Sequence, residues 1–281
     1  MSTCVFHLLL VLVACTGFAS RAQAGPIASP PGFTIPGEQL WNFARIVEEL
    51  SALVWDSTNN GFWMLGDGPG PTQLSWFSFA DRRGERVPVA GSGVALNDWE
   101  ALVADRARGW LWILDVGDNL GARPEVQLYG VDPGPFLRAE LGVLPLRKTI
   151  HVVFESGPRD VEAAFVSDDQ IFLVEKTFWG AARMVAIPLI TEDGAQVVAQ
   201  DVGLVSGARL ITDADRSPNG TIFLLTYDGI FQCATCAASG PHRATPVGGG
   251  FSGQAEALVA VSDREFAVGL EDGRVFYQTG D

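Results

Sequence analysis

Four acidic residues hold the same place in a repeated pattern, each directly before an alanine in a short apolar segment. They are Glu100, Glu162, Asp213 and Glu256, and Ser51 holds this place in the first segment. Carboxylates brought together repel one another unless a cation, a basic side chain or bound protons neutralise them. Ca²⁺ prefers several oxygen ligands of this kind. The pattern predicts a metal site, a pair of acid–base catalysts, or a polar region that pairs with arginines and backbone amides.

A second polar cluster follows the apolar run at residues 110–114. It contains Asp115, Asp118 and Asn119 with Gly117 between them, and Asp98 lies in the preceding Asn-Asp-Trp-Glu-Ala motif. Because glycine lets the backbone approach closely, these oxygens could reach a metal ion or a polar ligand. The alternative is a set of Asx turns, in which the same oxygens accept hydrogen bonds from loop amides.

Further candidate ligand-binding residues follow the later strands. Glu175, Lys176 and Tyr227 come at the ends of apolar runs, where rim residues of a site would lie, although an ordinary solvated rim is the alternative. The sequence contains no H-E-x-x-H zinc motif, no G-x-S-x-G nucleophile motif and no G-x-x-x-x-G-K-[ST] phosphate loop. The sequence therefore identifies no catalytic residue.

Cys233 and Cys236 form a C-x-x-C motif. In an oxidising compartment a local disulfide is the simplest arrangement of such a pair. A redox-active pair and a metal site are the alternatives. Structural zinc takes about four protein ligands, and only His242 lies nearby in the sequence as a third.

The elements that must position these residues are short β-strands. Runs of Val, Ile, Leu, Phe and Trp alternate with turns rich in Gly, Pro, Asp and Asn, a pattern typical of all-β proteins. One unit, a short strand around an alanine followed by a turn and a second apolar strand, recurs five times. Its alanines lie 49, 62, 51 and 43 residues apart. A period of roughly 50 residues, with room for four strands, predicts the blades of a β-propeller.

The chain length favours five blades. The fifth unit has only 24 residues after Ala257 and lacks room for its outer strand, which residues 40–47 can supply. This N-terminal strand would close the ring by joining the two ends of the chain. Six blades are the alternative if the long second interval contains a degenerate blade. Since the first strand of every blade lines the channel of a propeller, the recurring carboxylates are expected to face one channel.

The chain resembles a family of exported bacterial β-propellers. The resemblance rests on Asn97–Ala101, on Asp115–Asn119 with Arg123, and on the Ser-Pro-Asn-Gly turn at 217–220. Over most of residues 45–281 the chain is broadly similar to phytase-like, strictosidine-synthase-like and gluconolactonase-like propellers. The resemblance implies the fold but no single activity, since propellers include hydrolases, lyases and binding proteins.

The gluconolactonase-like resemblance also has an implication for metal binding. In those propellers a glutamate at the start of an inner strand helps to hold an axial metal. The resemblance implies a comparable placement for Glu100, Glu162 and Glu256. The remaining metal ligands of that family have no match in this sequence, so its activity does not carry over.

The first 24 residues are predicted to be a secretory signal peptide. Residues 5–14 form an apolar run too short to span a bilayer, and residues 22–24 match an A-x-A cleavage pattern, although no basic residue precedes the run. The alternatives are a lipid anchor on Cys15 and an uncleaved anchor. All three predict an exported protein, either periplasmic, extracellular or an outer-membrane lipoprotein. Residues 25–39 would then be an extension and residues 40–281 a single propeller domain without a transmembrane span.

The composition limits the class of partner. The chain has 33 acidic and 19 basic residues and a net charge of −14, which argues against nucleic acid and anionic membranes as partners. We therefore expect a secreted or periplasmic propeller that binds a small ligand or a protein at its channel. The alternative is a Ca²⁺-dependent hydrolase of lactone, ester or phosphate-ester substrates that uses the axial carboxylates.

Overall fold

The computed structural model describes residue 30, residues 37–68 and residues 70–280. Within these ranges the regular structure is almost entirely β-strand, which confirms the all-β prediction, and the one helix is α1 (Gly134–Leu137). No helix in this part of the chain has the length and apolar character needed to cross a membrane. The expected leader, Cys15 and most of residues 25–39 lie outside the described residues.

The described strands begin with β1 (Gln39–Asn42) and continue as four-stranded antiparallel meanders. The first meander contains β2 (Leu50–Asp56), β3 (Gly61–Gly66), β4 (Gln73–Ser78) and β5 (Arg83–Ala90). The second contains β6 (Trp99–Asp105), β7 (Trp110–Asp115), β8 (Val126–Val131) and β9 (Leu144–Phe154). The third contains β10 (Val161–Ser167), β11 (Gln170–Glu175), β12 (Ala182–Pro188) and β13 (Ala195–Ser206).

The last two meanders depart from this simple order. The fourth contains β14 (Ile211–Arg216), β15 (Ile222–Thr226), β16 (Gly229–Cys233) and β18 (Thr245–Gly249). The intervening β17 (His242–Arg243) pairs instead with β13 of the third meander. The fifth contains β19 (Ala255–Ala260), β20 (Glu265–Leu270) and β21 (Arg274–Thr279), and β1 pairs with β21 as its fourth strand.

The N-terminal strand thus completes the last meander, as predicted. The observed strand, β1, is shorter than the strand predicted over residues 40–47, because the chain turns directly after Asn42. The Asn42 side chain accepts a hydrogen bond from the Ala44 amide, and the Val47 amide donates to the Phe43 carbonyl. Phe43 and Val47 are buried in this turn and pack against the first and fifth meanders.

The hydrophobic core lies between the meanders. The inner strands form a closed order of contacts, β2–β6–β10–β14–β19 and back to β2. Five apolar clusters of the described residues each join two neighbouring meanders around this ring. Trp63 and Trp112 are fully buried in two of these clusters and pack between neighbouring meanders. Because apolar burial occurs between the meanders, the axis is left to polar side chains.

The long second interval contains no extra strand in residues 132–143. It contains α1, which the sequence analysis did not predict, and is followed by the 11-residue β9. Pro135 lies in the first turn of α1, where a missing amide hydrogen costs no helical hydrogen bond. The described residues thus form five meanders, and the number of blades in the whole chain stays a prediction.

Candidate functional site

Every inner strand has a β-bulge at the same point. The bulged residues are Ser51, Glu100, Glu162, Thr212 and Glu256. A bulge adds one residue without a direct partner and changes the direction of its side chain. The three glutamates and Ser51 line one pocket at the inner strands, so the recurring bulge explains how the repeat builds the site.

The bulge corrects the position of Asp213. In β14 the register shifts between Ile211 and Asp213, so Thr212 takes the place that the glutamates hold in other strands. The sequence alignment was wrong by one residue because Asp213 stands where those strands have alanine, and Ala214 follows it. Asp213 is buried and accepts hydrogen bonds from the amides of Ala214 and Leu258, at 2.7 Å each. It therefore connects β14 to β19 instead of lining the pocket.

The pocket has a volume of about 150 Å³ and an acidic lining. Its carboxyl groups belong to Glu49, Asp67, Glu100, Glu162, Glu256 and Glu271. Its other polar side chains are Ser51, Asn119, Lys176 and Gln254. We call this site the axial pocket. Of the sequence-predicted site residues, it brings together Glu100, Glu162, Glu256, Asn119 and Lys176.

Sequence reasoning missed several lining residues, including Asp67 and Glu271. Both come directly after the second strand of a meander, as Lys176 and Tyr227 do. This recurring place could have revealed them from the sequence. Asp67 lies in the segment Gly66-Asp67-Gly68-Pro69-Gly70, whose composition is typical of a loop and does not itself indicate a site.

Glu100 is the most perturbed acid of the axial pocket. Burial raises its pKa to about 10, and the nearby charges of Glu162, Asp67 and Asp98 raise it further. Glu100 hydrogen bonds to Asp98, whose pKa is also raised, chiefly by burial. A carboxyl that keeps its proton can donate this bond to a carboxylate. Gly117 permits the arrangement, because a Cβ there would lie 2.5 Å from Asp98 Oδ2 and 2.8 Å from Glu100 Cγ.

Glu162 pairs with the one basic side chain of the axial pocket. Lys176 Nζ lies 2.5 Å from Glu162 Oε1 and 5.2 Å from the centre of the Tyr227 ring. Burial raises the pKa of Glu162 to about 7, although Lys176 opposes this shift. Despite its burial, the pKa of Lys176 is raised by the hydrogen bonds and charges of Glu162 and Tyr227. Tyr227 therefore lies beside the pocket and supports Lys176.

Two further acids of the axial pocket have raised pKa values. Burial, Glu49 and Glu271 raise the pKa of Asp67 to about 6. Burial also raises the pKa of Glu256, although Gln254 donates to its carboxylate at 2.8 Å. These shifts share one cause, since buried like charges favour the protonated form.

The carboxylates do not form a ready metal cage. The axial acids are absent from the groups of described residues with three ligand atoms mutually within 4.8 Å; the one such group is Cys233, Cys236 and His242. Asp213 does not take part in this arrangement, because its carboxylate lies outside the lining of the axial pocket and accepts hydrogen bonds from backbone amides. Ca²⁺ binding by the remaining three glutamates stays a prediction and would need side-chain movement.

Asp115 and Asp118 form a structural network beside the pocket. Asp118 accepts hydrogen bonds from the Ala122 and Arg123 amides, at 2.8 and 2.9 Å. Arg123 donates to the Asp115 carboxylate and to the Gly117 carbonyl, both at 2.7 Å. This agrees with the Asx-turn alternative, and the network supports the loop that carries Asn119 into the pocket.

Glu175 also lies outside the axial pocket. Its carboxylate accepts hydrogen bonds from Arg159 Nη1 at 3.1 Å and from the Arg183 amide at 3.3 Å. Glu175 thus binds side-chain and backbone donors of its own meander, and Lys176 is the member of this pair that reaches the pocket.

Arg123→Lys is expected to lower the free energy of unfolding by about 1–2 kcal/mol, because an ammonium group cannot reproduce the guanidinium fork. Denaturant unfolding measures this effect. The matched control is Arg138→Lys, whose partner Glu140 is exposed, and it should leave the unfolding midpoint unchanged. Equal midpoints for both variants would contradict a structural role of Arg123.

Comparisons with known proteins support the fold. No protein-family model matches the chain, and the search of curated proteins found no similar one. A gluconolactonase from Xanthomonas campestris matches 83% of this chain and 72% of its own, with a TM-score of 0.51 and 13% identity. The extracellular domain of a one-component system from B. thetaiotaomicron has a TM-score of 0.44 and 16% identity, over 79% of this chain and 28% of its own.

A third similar structure is the WD40 domain of Neurospora crassa Pan2, with a TM-score of 0.39 and 12% identity, over 81% of this chain and 62% of its own. At such low identities, likeness concerns architecture alone. The fold and the first comparison define the chain as an all-β propeller. More specifically, its architecture is similar to gluconolactonase-like propellers.

Proposed function

We propose that the protein is a binding protein whose axial pocket takes a small ligand carrying positive charge or several hydrogen-bond donors. The observation that supports this proposal is the lining of six carboxyl groups and one lysine around one small pocket. Carboxylates accept hydrogen bonds and attract cations. A ligand of this kind would replace the protons that the buried acids hold.

The size of the axial pocket limits what can enter it. A water molecule occupies about 30 Å³ in the liquid, whereas pockets for drug-sized ligands hold roughly 300–1,000 Å³. The observed volume of about 150 Å³ suits a hydrated metal ion or one charged end of a larger molecule. Leu120 and Trp179, which are 91% and 83% exposed, follow the pocket residues Asn119 and Lys176 in their loops. We expect them to contact the outer part of a larger ligand.

A Ca²⁺-dependent hydrolase is the second candidate. It is favoured by the oxygen donors of Glu100, Glu162, Glu256 and Asn119, which line the same pocket. A bound Ca²⁺ would polarise the carbonyl or phosphoryl oxygen of a lactone, ester or phosphate ester. The residues of this chain would hold the ion, and Lys176 would orient an anionic group of the substrate.

We also infer that the protein is exported. The apolar run and the A-x-A pattern of residues 1–24 support a cleaved leader. The disulfide between Cys233 and Cys236 fits an oxidising compartment. Mass spectrometry of the mature N-terminus distinguishes cleavage after Ala24, lipidation at Cys15 and an uncleaved anchor.

Ca²⁺ is expected to raise the melting temperature of the full chain, and EDTA to reverse the shift. A ligand at 100 times its Kd adds about 2.7 kcal/mol to the free energy of unfolding. Because the cation must displace protons from groups such as Asp67 and Glu162, affinity should increase from pH 6 to pH 8. Elemental analysis and melting curves at several pH values measure both effects.

Two further arms separate the candidates. The binding proposal predicts that 1,4-diaminobutane, used as a cationic organic probe, also raises the melting temperature. The variant Glu100→Gln/Glu256→Gln should remove both shifts, whereas Glu48→Gln, an exposed acid outside the pocket, should keep them. If the diamine raises the melting temperature of the wild-type chain but Ca²⁺ does not, the hydrolase is rejected and the binding proposal stands. Binding would be rejected if neither probe acted, or if both acted equally on the pocket variant.

A further inference from the structure

A second group of reactive side chains lies outside the axial pocket, between the third and fourth meanders. Cys233 ends β16, His242 begins β17, and Cys236 lies in the loop between them. The two cysteines form the predicted disulfide, with Cα atoms 5.5 Å apart. Both sulfur atoms and a ring nitrogen of His242 lie within 4.8 Å of one another.

The histidine of this group has an unused nitrogen. Both cysteines are fully buried and His242 is 3% exposed. His242 Nδ1 lies 3.1 Å from the Thr235 hydroxyl, but the buried Nε2 has no hydrogen-bond partner in the described structure. An unpaired buried polar atom costs free energy that an aliphatic side chain would avoid. Packing alone therefore does not explain a histidine at this position.

We propose that Cys233, Cys236 and His242 form a redox-gated zinc site. In the oxidised state the disulfide removes both thiolate ligands, so no metal binds. In the reduced state the two thiolates and one imidazole nitrogen are ligands that Zn²⁺ prefers, at bond lengths of about 2.3 Å to sulfur and 2.0–2.1 Å to nitrogen. Since the three atoms are already neighbours, zinc binding needs only small movements of the loop.

Reduction of the Cys233–Cys236 disulfide requires an external dithiol as the reductant. The dithiol supplies two electrons and two protons, the Cys233–Cys236 bond breaks, and the reductant becomes a disulfide. Zn²⁺ then displaces the two thiol protons and binds neutral His242. No further His, Cys, Asp or Glu of the described residues joins this group. The fourth coordination position is therefore left to water or to a second molecule.

Thr235 is a positioning residue in this proposal. Its hydroxyl bonds to Nδ1 of His242 and fixes the orientation of the ring. Partners of this kind orient metal-binding histidines, and their loss typically weakens metal affinity by about 10–100-fold. The segment from Cys233 to Cys236 thus supplies both sulfur ligands, and its Thr235 orients the third ligand, His242.

Co²⁺ titration of the full chain tests the proposal, because Co²⁺ bound to thiolates gives a charge-transfer absorption band. After treatment with a dithiol and its removal without oxygen, we expect one Co²⁺ per chain and complete displacement by Zn²⁺. The untreated disulfide form should show no such band. A reduced protein that gives no such band, or an oxidised protein that gives the same band, would overturn the proposal.

Variants assign the ligands. His242→Gln should weaken Zn²⁺ binding by at least about tenfold and shift the Co²⁺ spectrum, and Thr235→Val should weaken it by about 10–100-fold. The control is His151→Gln, whose ring bonds to Glu125 on another meander, and it should not change affinity. Cys233→Ser/Cys236→Ser should abolish the band. Full affinity in His242→Gln would refute the site even if the cysteine variant failed to fold.

Discussion

Lys176→Met is expected to lower the free energy of unfolding increasingly above pH 7, by about 1.4 kcal/mol per pH unit until Glu162 ionises. Methionine keeps most of the apolar stem beside Tyr227 but removes the ammonium group that lies 2.5 Å from Glu162. Glu162 would then be a buried carboxylate without a cation. The pKa of Glu162 is already raised to about 7 with Lys176 present, and the loss of the Lys176 ammonium group raises it further. Urea unfolding of both proteins measures the difference.

The pH dependence separates this effect from lost packing. A carboxyl with a raised folded pKa binds its proton more tightly in the folded state, so its destabilisation grows as pH rises above the unfolded value of 4.5. Wild type shares this loss up to its own Glu162 pKa of about 7, so the Lys176→Met variant should approach wild-type stability below about pH 7 and diverge above it. Lys176→Met/Glu162→Gln removes the unpaired charge and should regain most of the loss. A constant deficit at every pH would instead indicate lost packing.

Glu100→Gln is expected to raise the free energy of unfolding by about 3 kcal/mol at pH 7. Burial raises the pKa of Glu100 from 4.5 to about 10, so the folded state holds a proton that the unfolded state releases. Glu100 by itself should lower wild-type stability by about 1.4 kcal/mol per pH unit between these two values. Glutamine has no proton to hold, and its amide can still donate to Asp98.

Thermal or urea unfolding between pH 5 and pH 9 tests this prediction. Glu100→Gln should flatten the decline in stability, whereas the control Glu48→Gln, an exposed acid beside Arg86, should keep the wild-type slope. Identical slopes in Glu100→Gln and wild type would show that Glu100 is ionised in the folded state. A stabilised variant that also loses ligand binding would fit the common conflict between stability and function.

The two predictions concern one property of the axial pocket. Lys176 offsets the charge of Glu162, but Glu100, Glu256 and Asp67 have no comparable basic partner among the pocket residues. Their raised pKa values reduce folding stability at neutral pH. Strongly perturbed acids in a concave site are typical of functional sites. A cation or a hydrogen-bond donor that enters the pocket would remove this cost, which links the stability argument to the proposed binding.

Several features could be predicted because they depend on local sequence periodicity. Alternating apolar runs and Gly/Pro/Asp/Asn turns predicted the strands, and the recurring unit predicted the meanders. The recurrence also placed Glu100, Glu162 and Glu256 together, because equivalent positions of inner strands meet at one axis. Lys176 and Asn119 were named as site candidates for their place at strand ends, and both line the pocket.

Other features depended on register and on contacts between distant residues. Asp213 was misplaced because a bulge moves the chain by one residue without a signal in the amino-acid pattern. By sequence, Asp115 and Asp118 have the same pattern as ligand-binding acids, and only their contacts with Arg123 and the loop amides give them a structural role. The sequence identifies the carboxyl groups, whereas burial and neighbouring charges in the folded state determine which of them keeps its proton.

The sequence alone determined the all-β repeat, the recurring glutamates of the inner strands and the C-x-x-C pair, since each follows from local spacing and side-chain chemistry. Only the tertiary structure decided that Thr212 replaces Asp213 at the axis, that Lys176 neutralises Glu162, and that His242 reaches the two cysteines. The physical reason is that charge interaction and metal binding depend on distances of a few ångströms. Such distances are fixed by strand register and burial, which join residues far apart in the chain.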